Sequence, residues 1–119
     1  MKKLCILLFF ISISIHGYSQ PDTNKIIGKW KYTVDTGQGL MTGIFNFNEK
    51  EGILVGEVIT DDGYTIPFTK IEPKEANTLY LELIPEYDVI KITVVIEEDK
   101  FEGTGSSTDG EVLITGEKQ

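Results

Sequence analysis

Short runs in which polar and apolar residues alternate, separated by tight-turn sequences, constrain this chain more than any other feature. In the run Lys29–Thr36, the side chains of Trp30, Tyr32 and Val34 fall on one side of an extended strand. Such alternation is typical of β-strands with one buried face. No segment of ten or more residues has a helical period. The sequence predicts eight strands: Lys29–Thr36, Leu40–Asn48, Ile53–Thr60, Tyr64–Glu72, Thr78–Ile84, Asp88–Ile96, Lys100–Ser107 and Glu111–Lys118.

The connections between these runs are short enough to be hairpin turns. Asp61-Asp62-Gly63 and Thr108-Asp109-Gly110 contain the Asp-Gly pair that favours the backbone angles of such turns. Consecutive antiparallel strands leave two unpaired edges unless the first strand meets the last. We therefore predict an all-β fold, an eight-stranded antiparallel up-and-down β-barrel. Pro67 in the fourth run predicts a bulge or an open edge, because proline has no N–H to donate.

A weak internal repeat accompanies this pattern. A shift of 47 residues places residues 42–70 over residues 89–117 without a gap. Two interpretations are open, a duplicated half-barrel or the self-similarity of any meander of hairpins. The matched pairs include Gly56 with Gly103, Asp62 with Asp109, Gly63 with Gly110, and Ile66 with Leu113.

The N-terminal residues have the three parts of a secretory signal peptide. A basic start precedes an apolar run over Leu4–Ile15, and the small residues Gly17 and Ser19 follow. The apolar run is shorter than the about 20 residues that a transmembrane helix needs. We therefore expect residues 1–19 to be cleaved and residues 20–119 to form the barrel domain. The mature protein is then secreted or periplasmic and does not span a membrane.

The composition of the predicted mature domain argues against most enzyme chemistry. The whole chain has 11 Lys and no Arg, 19 Asp and Glu, one His and one Cys. Cys5, His16 and two of the Lys residues lie within residues 1–19, so residues 20–119 have a formal charge of −10. They offer no imidazole base, thiol nucleophile or zinc ligand, and no cationic cluster for nucleic acid. We expect a non-enzymatic protein without cofactor, metal or nucleic-acid partner.

Two uses of carboxylates remain to be considered. Glu57 and Glu82 lie in mid-strand, but each alternates with apolar neighbours, so we expect both to face solvent. The turns Asp61-Asp62-Gly63 and Glu97-Glu98-Asp99 offer oxygen ligands for weak Ca²⁺ binding. Neither turn has the alternating acidic spacing of an EF-hand loop, and hairpin chemistry explains both better.

The strand pattern also predicts which side chains face the barrel interior. An eight-stranded barrel has an interior just wide enough for packed side chains or for one small ligand. We interpret Trp30, Tyr32, Phe45, Phe47 and Phe101 as candidate residues for binding a small apolar ligand; the alternative is that they simply fill the core. The predicted inward set is Trp30, Tyr32, Phe45, Phe47, Leu54, Ile66, Leu81, Ile92, Val94 and Phe101.

The start of the first strand resembles that of the lipocalin-like, or calycin, barrels, which begin with Gly-x-Trp. The stretch from residue 26 to residue 118 looks most like small secreted bacterial barrels of that type. In lipocalins the Trp closes one end of the barrel beneath a late-strand Arg, for which this chain offers only Lys118. The residues that carry the resemblance are Gly28, Trp30, Tyr32 and Val34, then Leu54, Gly56 and Val58.

This resemblance implies a non-enzymatic barrel that binds a small apolar ligand. Small secreted barrels with a Gly-x-Trp start also occur among bacterial protease inhibitors, which act through their N-terminal segment. The alternative expectation is therefore a protein-interaction or inhibitor-like module that acts through Gln20–Ile27 and the loops. The sequence names neither the ligand nor a protein partner.

Overall fold

The computed structural model describes residues 23–119, and all eight predicted strands are present within it. Every observed strand boundary lies within two residues of its predicted position. The predicted signal peptide, residues 1–19, lies outside the described residues. The elements are α1 (Thr23–Ile26), β1 (Gly28–Asp35), β2 (Leu40–Lys50), β3 (Ile53–Thr60), β4 (Thr65–Lys74), β5 (Thr78–Leu83), β6 (Ile90–Glu97), β7 (Lys100–Ser107) and β8 (Gly110–Lys118).

The sheet closes on itself because the first strand pairs with the last. Trp30 of β1 lies opposite Phe45 of β2 on one side and opposite Lys118 of β8 on the other, and both pairings are antiparallel. The strands follow one another around the barrel in chain order. The chain therefore forms the predicted closed, eight-stranded antiparallel up-and-down barrel.

The meander divides the turns between two ends of the barrel. Turns 36–39, 61–64, 84–89 and 108–109 lie at one end, which we call the mouth. Turns 51–52, 75–77 and 98–99 lie at the opposite end together with α1, and we call this the α1 end. Every second turn along the chain therefore lies at the same end of the barrel, even when the turns are far apart in sequence.

The inward face of the strands forms a continuous apolar core. Eight of the ten predicted inward residues are buried, while Leu54 and Ile66 are partly buried and packed against the core. No polar or charged residue among residues 23–119 is buried. The predicted inward set is thus confirmed, and burial of apolar surface contributes stability without any buried ion pair.

Gly103 allows β6 and β7 to approach each other closely. A Cβ atom at this position would collide with the carbonyl oxygen of Thr93 and lie 2.7 Å from the Cα of Val94. Both of those atoms belong to the backbone, so neither moves without distorting the strand. At Gly105, two residues further along the same strand, an added Cβ would have its nearest neighbour at 3.7 Å.

The ladder between β3 and β4 ends at Pro67. Only three residue pairs join these strands, and the last of them is Glu57 with Pro67. On the other side of β4, the register with β5 shifts between Phe68 and Lys70. The bulge or open edge predicted at Pro67 thus corresponds to the end of the β3–β4 ladder at Pro67 and to the register shift that follows it on the β5 side.

The 47-residue repeat fails in its last strand. Ile66 packs against the core, whereas its counterpart Leu113 is 64% exposed. Thr60 N donates to the carbonyl oxygen of Tyr64 across the three residues 61–63, whereas only the two residues 108–109 separate the paired Ser107 and Gly110. Because strand side chains alternate, a shift of one residue moves every following side chain to the other face. The gapless alignment is therefore wrong for the last strand.

Helix α1 closes one end of the barrel. Ile26 is completely buried, and its carbonyl oxygen accepts a hydrogen bond of 2.9 Å from the indole Nε1 of Trp30. Lys118 Nζ lies 5.6 Å from the centre of the Trp30 ring and donates a 2.8 Å hydrogen bond to the carbonyl oxygen of Lys25. Lys118 therefore lies where the resemblance implied a late-strand Arg.

Substitution of Gly103 tests the close approach of β6 and β7. We expect Gly103→Ala to lower the free energy of unfolding by about 3 kcal/mol, because the backbone of β6 must move. Gly105→Ala is the matched control and should change it by less than about 1 kcal/mol. Urea unfolding followed by the fluorescence of Trp30 measures both values. Equal losses in the two variants would contradict this account of the β6–β7 contact.

The Lys118 contacts predict a second stability effect. Lys118→Met keeps the apolar stem over Trp30 but removes the ammonium group, and it should cost about 1–2 kcal/mol in the free energy of unfolding. Lys100→Met removes a cation whose side chain makes no hydrogen bond or ion pair among residues 23–119. The control should therefore leave the urea midpoint nearly unchanged, and a similar shift in both variants would show that only net charge matters.

Candidate functional site

The five aromatic residues predicted to bind a ligand lie together in the core. Trp30, Tyr32, Phe45, Phe47 and Phe101 are each between 1% and 6% exposed. Their rings form one network, with centroid distances of 4.7 Å between Tyr32 and Phe45 and 5.6 Å between Phe45 and Phe101. Trp30 joins the network through Phe101 at 5.5 Å. These rings pack against one another and fill the interior towards the α1 end.

Phe68 is a sixth member of this network that the sequence analysis did not identify. Its ring stacks on Phe47 at 5.5 Å and meets Phe45 edge-on at 5.3 Å. Phe68 lies two residues after the inward Ile66, which was the signal in the sequence. A bulge at Pro67 would turn the residues after it to the other face. The network thus extends across β1, β2, β4 and β7.

The inward side chains are less well buried near the mouth. Val34, Ile66 and Ile90 pack against the core but are only half-buried. Val112 is also half-buried, and one of its methyl groups would lie 3.7 Å from a Cβ at Gly105, a position on the inward face. Solvent therefore reaches apolar inward side chains at this end. Val34, Ile66, Ile90 and Val112 share this partial exposure, and we call this group of side chains the cup.

Tyr32 forms the floor beneath the cup. Its phenol ring lies across Gly43 of β2, so closely that a Cβ on that glycine would collide with it. The Tyr32 hydroxyl makes no hydrogen bond within residues 23–119 and retains contact with solvent. Burial raises the pKa of the Tyr32 phenol, and the Asp61 carboxylate in a mouth turn raises it further. Of the five predicted residues, Tyr32 is the one that offers a free polar atom to the cup.

The mouth carries an apolar rim. Most of the exposed large hydrophobic side chains of the described chain lie on its turns or on the strand ends beside them. Tyr87 is 91% exposed and Leu40 is 71% exposed. Exposed apolar side chains that share one end of a barrel mark an interaction site more often than scattered ones do. The rim residues are Leu40, Met41, Tyr64, Ile84, Tyr87 and Val89.

The residues of the acidic turn at Asp61 stabilise the β3–β4 hairpin. Thr60 N donates to the carbonyl oxygen of Tyr64 at 2.8 Å, Gly63 has a φ of +92°, and the Thr42 hydroxyl donates to Asp61 Oδ2 at 2.7 Å. Within residues 23–119, no group of three or more His, Cys, Asp or Glu side chains is placed to hold a metal ion. Hairpin geometry therefore accounts for these residues.

The two mid-strand carboxylates lie on the outer face. Glu57 Oε2 accepts a 3.4 Å hydrogen bond from Asn46, its partner across the β2–β3 ladder. Glu82 accepts a hydrogen bond from the hydroxyl of Tyr80, which raises the pKa of Tyr80 to about 12. The two groups belong to separate outer-face contacts and form no acid–base pair with each other.

The environment of Tyr32 predicts a pH effect on stability. A tyrosine in the unfolded chain ionises at about pH 10, whereas Tyr32 in the folded protein stays neutral to a higher pH because its pKa is raised. The stabilisation is complete below about pH 10 and is lost as the pH rises beyond it. We expect Tyr32→Phe to flatten this loss between about pH 9 and pH 11. Urea unfolding measured across that range tests it, and identical pH profiles for the two proteins would contradict it.

Comparisons with known proteins support the architecture alone. No family model and no curated protein matches this chain. Among solved structures, the chain is similar to a redesigned β-barrel with a TM-score of 0.63 and 17% identity, covering 82% of this chain and 94% of that one. It is also similar to a redesigned β-barrel, mFAP1, bound to DFHBI, with a TM-score of 0.60 and 18% identity, covering 82% of this chain and 97% of that one.

No helix within residues 23–119 has the length and apolar character needed to cross a membrane.

At identities of 17% and 18%, the two redesigned barrels show the fold and nothing finer. By structure and comparison, the chain is an eight-stranded antiparallel up-and-down β-barrel with one end closed by a short helix and an apolar rim at the other.

Proposed function

We propose that this protein is a non-enzymatic, secreted or periplasmic lipocalin-like barrel that binds a small apolar ligand at the mouth. The observation that carries the proposal is the apolar rim, which surrounds a cup of half-buried inward side chains. Ligand sites in barrels occur preferentially at such mouths, where apolar walls meet a few polar groups. Helix α1 covers the other end, where Ile26 and Trp30 are buried.

Burial of rim and cup side chains would supply the binding energy. Apolar surface removed from water stabilises the complex by about 25 cal/mol for each Å². The rim side chains are already held in place by the barrel. A ligand in the cup covers Val34, Ile66 and Ile90, and its outer part contacts Leu40 and Tyr87. The Tyr32 hydroxyl supplies one directional contact at the floor.

The proposal divides the predicted ligand-binding residues into two groups. Tyr32 contacts the ligand directly, and Phe45 supports it from below at a centroid distance of 4.7 Å. Trp30, Phe47 and Phe101 form the packed base of the site, because a ligand that reached them would have to displace rings that are 1–5% exposed. Binding at the mouth needs no such rearrangement of the core.

A known barrel of similar fold supports the proposal that a barrel of this size holds a small molecule. The redesigned barrel mFAP1, which is similar in fold, is described as bound to DFHBI. An eight-stranded barrel of this length is therefore large enough to hold a small molecule. The identity of 18% carries no information about which molecule this chain binds.

The remaining parts of the proposal are supported by the sequence. Residues 1–19 have the composition of a signal peptide, and residues 20–119 contain no His, Cys or Arg. The interaction alternative is less well supported, since it needs Gln20–Ile27 as a free arm. From Thr23 to Ile26 that segment is helix α1, and Ile26 is completely buried against the barrel.

Nile red, a neutral apolar dye that fluoresces when it leaves water, tests the proposed site. The mature protein should enhance its fluorescence in a saturable way. The double variant Leu40→Ser and Met41→Ser should weaken binding by about tenfold, because it removes apolar contact area from the rim. Isothermal fluorescence titration with residues 20–119 measures the dissociation constants.

Two equally exposed apolar residues away from the mouth provide the control. Ile53 at the α1 end of β3 is 65% exposed, and Leu113 on the outer wall is 64% exposed. Ile53→Ser with Leu113→Ser should leave the dissociation constant within about twofold, since exposed substitutions of this kind rarely disturb folding. Equal weakening in both double variants would place the dye elsewhere and overturn the mouth as the site.

A further inference from the structure

We infer that the ligand is a cationic apolar molecule, with an amine or quaternary ammonium group attached to an apolar body. This inference deepens the proposed function and rests on it. It is carried by the charges of the mouth together with the unpartnered hydroxyl of Tyr32, which is 6% exposed and lies beneath the cup.

The mouth turns carry only negative charge. The four turns contain no Lys, and Asp35 and Glu111 add two more carboxylates at the strand ends beside them. Lys91, the cation nearest to a mouth turn in sequence, is exposed on the outer face of β6. Every one of these carboxylates is exposed. The acidic residues within the turns are Asp61, Asp62, Glu86, Asp88 and Asp109.

The α1 end has a different charge distribution. Its helix, turns and adjoining strand ends combine carboxylates with several Lys residues. The asymmetry therefore belongs to the mouth and does not follow from the net charge of −10 alone. Acidic surface charges around one opening attract a cation and repel an anion over roughly a Debye length, about 8 Å at physiological salt. The Lys residues at the α1 end are Lys25, Lys29, Lys50, Lys74, Lys100 and Lys118.

Three of the five carboxylates within the mouth turns are free to pair with a ligand. Asp62, Glu86 and Asp109 accept no side-chain hydrogen bond within residues 23–119. By contrast, Asp61 accepts one from Thr42, and Asp88 accepts one of 2.8 Å from Thr108 in the neighbouring turn. The second group holds the turns in place, while the first leaves its charge unpaired.

Aromatic groups at the mouth favour the same ligand class. Tyr64 and Tyr87 are 70% and 91% exposed on the rim, and their ring faces attract ammonium groups. The Tyr32 hydroxyl lies beneath them with no protein partner. This hydroxyl can accept a hydrogen bond from the N–H of a primary amine, whereas a quaternary ammonium group has no N–H to donate, so the preference for a cation rests on the carboxylates and the ring faces. The apolar rim, the aromatic ring faces and the carboxylates together select a cation with an apolar body.

Three molecules that share one alkyl chain separate charge from apolarity. Decyltrimethylammonium, decanol and decanoate each compete with Nile red for the mature protein. We expect decyltrimethylammonium to displace the dye at a concentration at least about tenfold below that of decanoate, with decanol between them. Raising the salt concentration should reduce the difference between the two ions and leave decanol unchanged.

Neutralising the free carboxylates tests where the preference arises. The triple variant Asp62→Asn, Glu86→Gln and Asp109→Asn should weaken decyltrimethylammonium binding by about three- to tenfold. Decanol binding should stay within about twofold. The substitutions keep side-chain size and remove no hydrogen bond among residues 23–119, so the thermal midpoint serves as a check on folding.

A matched triple variant at the α1 end controls for net charge. Glu49→Gln, Glu75→Gln and Asp99→Asn change the same number of exposed carboxylates and should leave decyltrimethylammonium binding unchanged. Equal weakening in both triple variants, or equal displacement by decyltrimethylammonium and decanoate, would overturn the inference while leaving the apolar site intact. If neither Nile red nor any of the three molecules binds, the proposed function itself fails.

Discussion

The pairing of β1 with β8 is the interaction on which the rest of this structure depends. It closes the sheet, so that no strand edge remains between the first and last elements. It also brings Lys118 to Trp30 and so allows a helix of only four residues to seal one end. A chain of this size gains most of its stability from one apolar interior, and only closure makes that interior common to all eight strands.

The two ends of this interior differ because the large rings are not spread evenly along it. Trp30, Phe47 and Phe101 occupy the half near the α1 end, where Gly56 makes room for the Phe47 ring and Gly116 for the Phe101 ring. Above Tyr32, towards the mouth, the inward side chains are aliphatic, and Val34, Ile66, Ile90 and Val112 are only half-buried. A filled half supplies stability and a partly open half supplies a site, so the proposed binding does not compete with the core for the same side chains.

Much of the fold follows from local pattern. Alternation over two residues identified every strand within two residues of its bounds and ten of the inward side chains, while the structure also buries Val58, Leu79, Leu83, Ile96 and Ile114. The misses have a common physical origin. Phe68 lies beside the bulge after Pro67, and Leu113 follows a turn one residue shorter than its counterpart, so in both cases one residue decides the face. The position of Lys118 over Trp30 also depended on closure.

The order of the strands along the chain, most side-chain faces and the acidic composition of residues 20–119, which include no His, can be read from the sequence, because neighbouring residues specify them. The mouth is not. Its rim and its carboxylates come from turns spread between residue 35 and residue 111, and they meet only because alternate turns of a closed meander share an end. The separation of a sealed end from an acidic, apolar mouth was therefore decided by the tertiary structure, since no local pattern records how far along the barrel axis a residue lies.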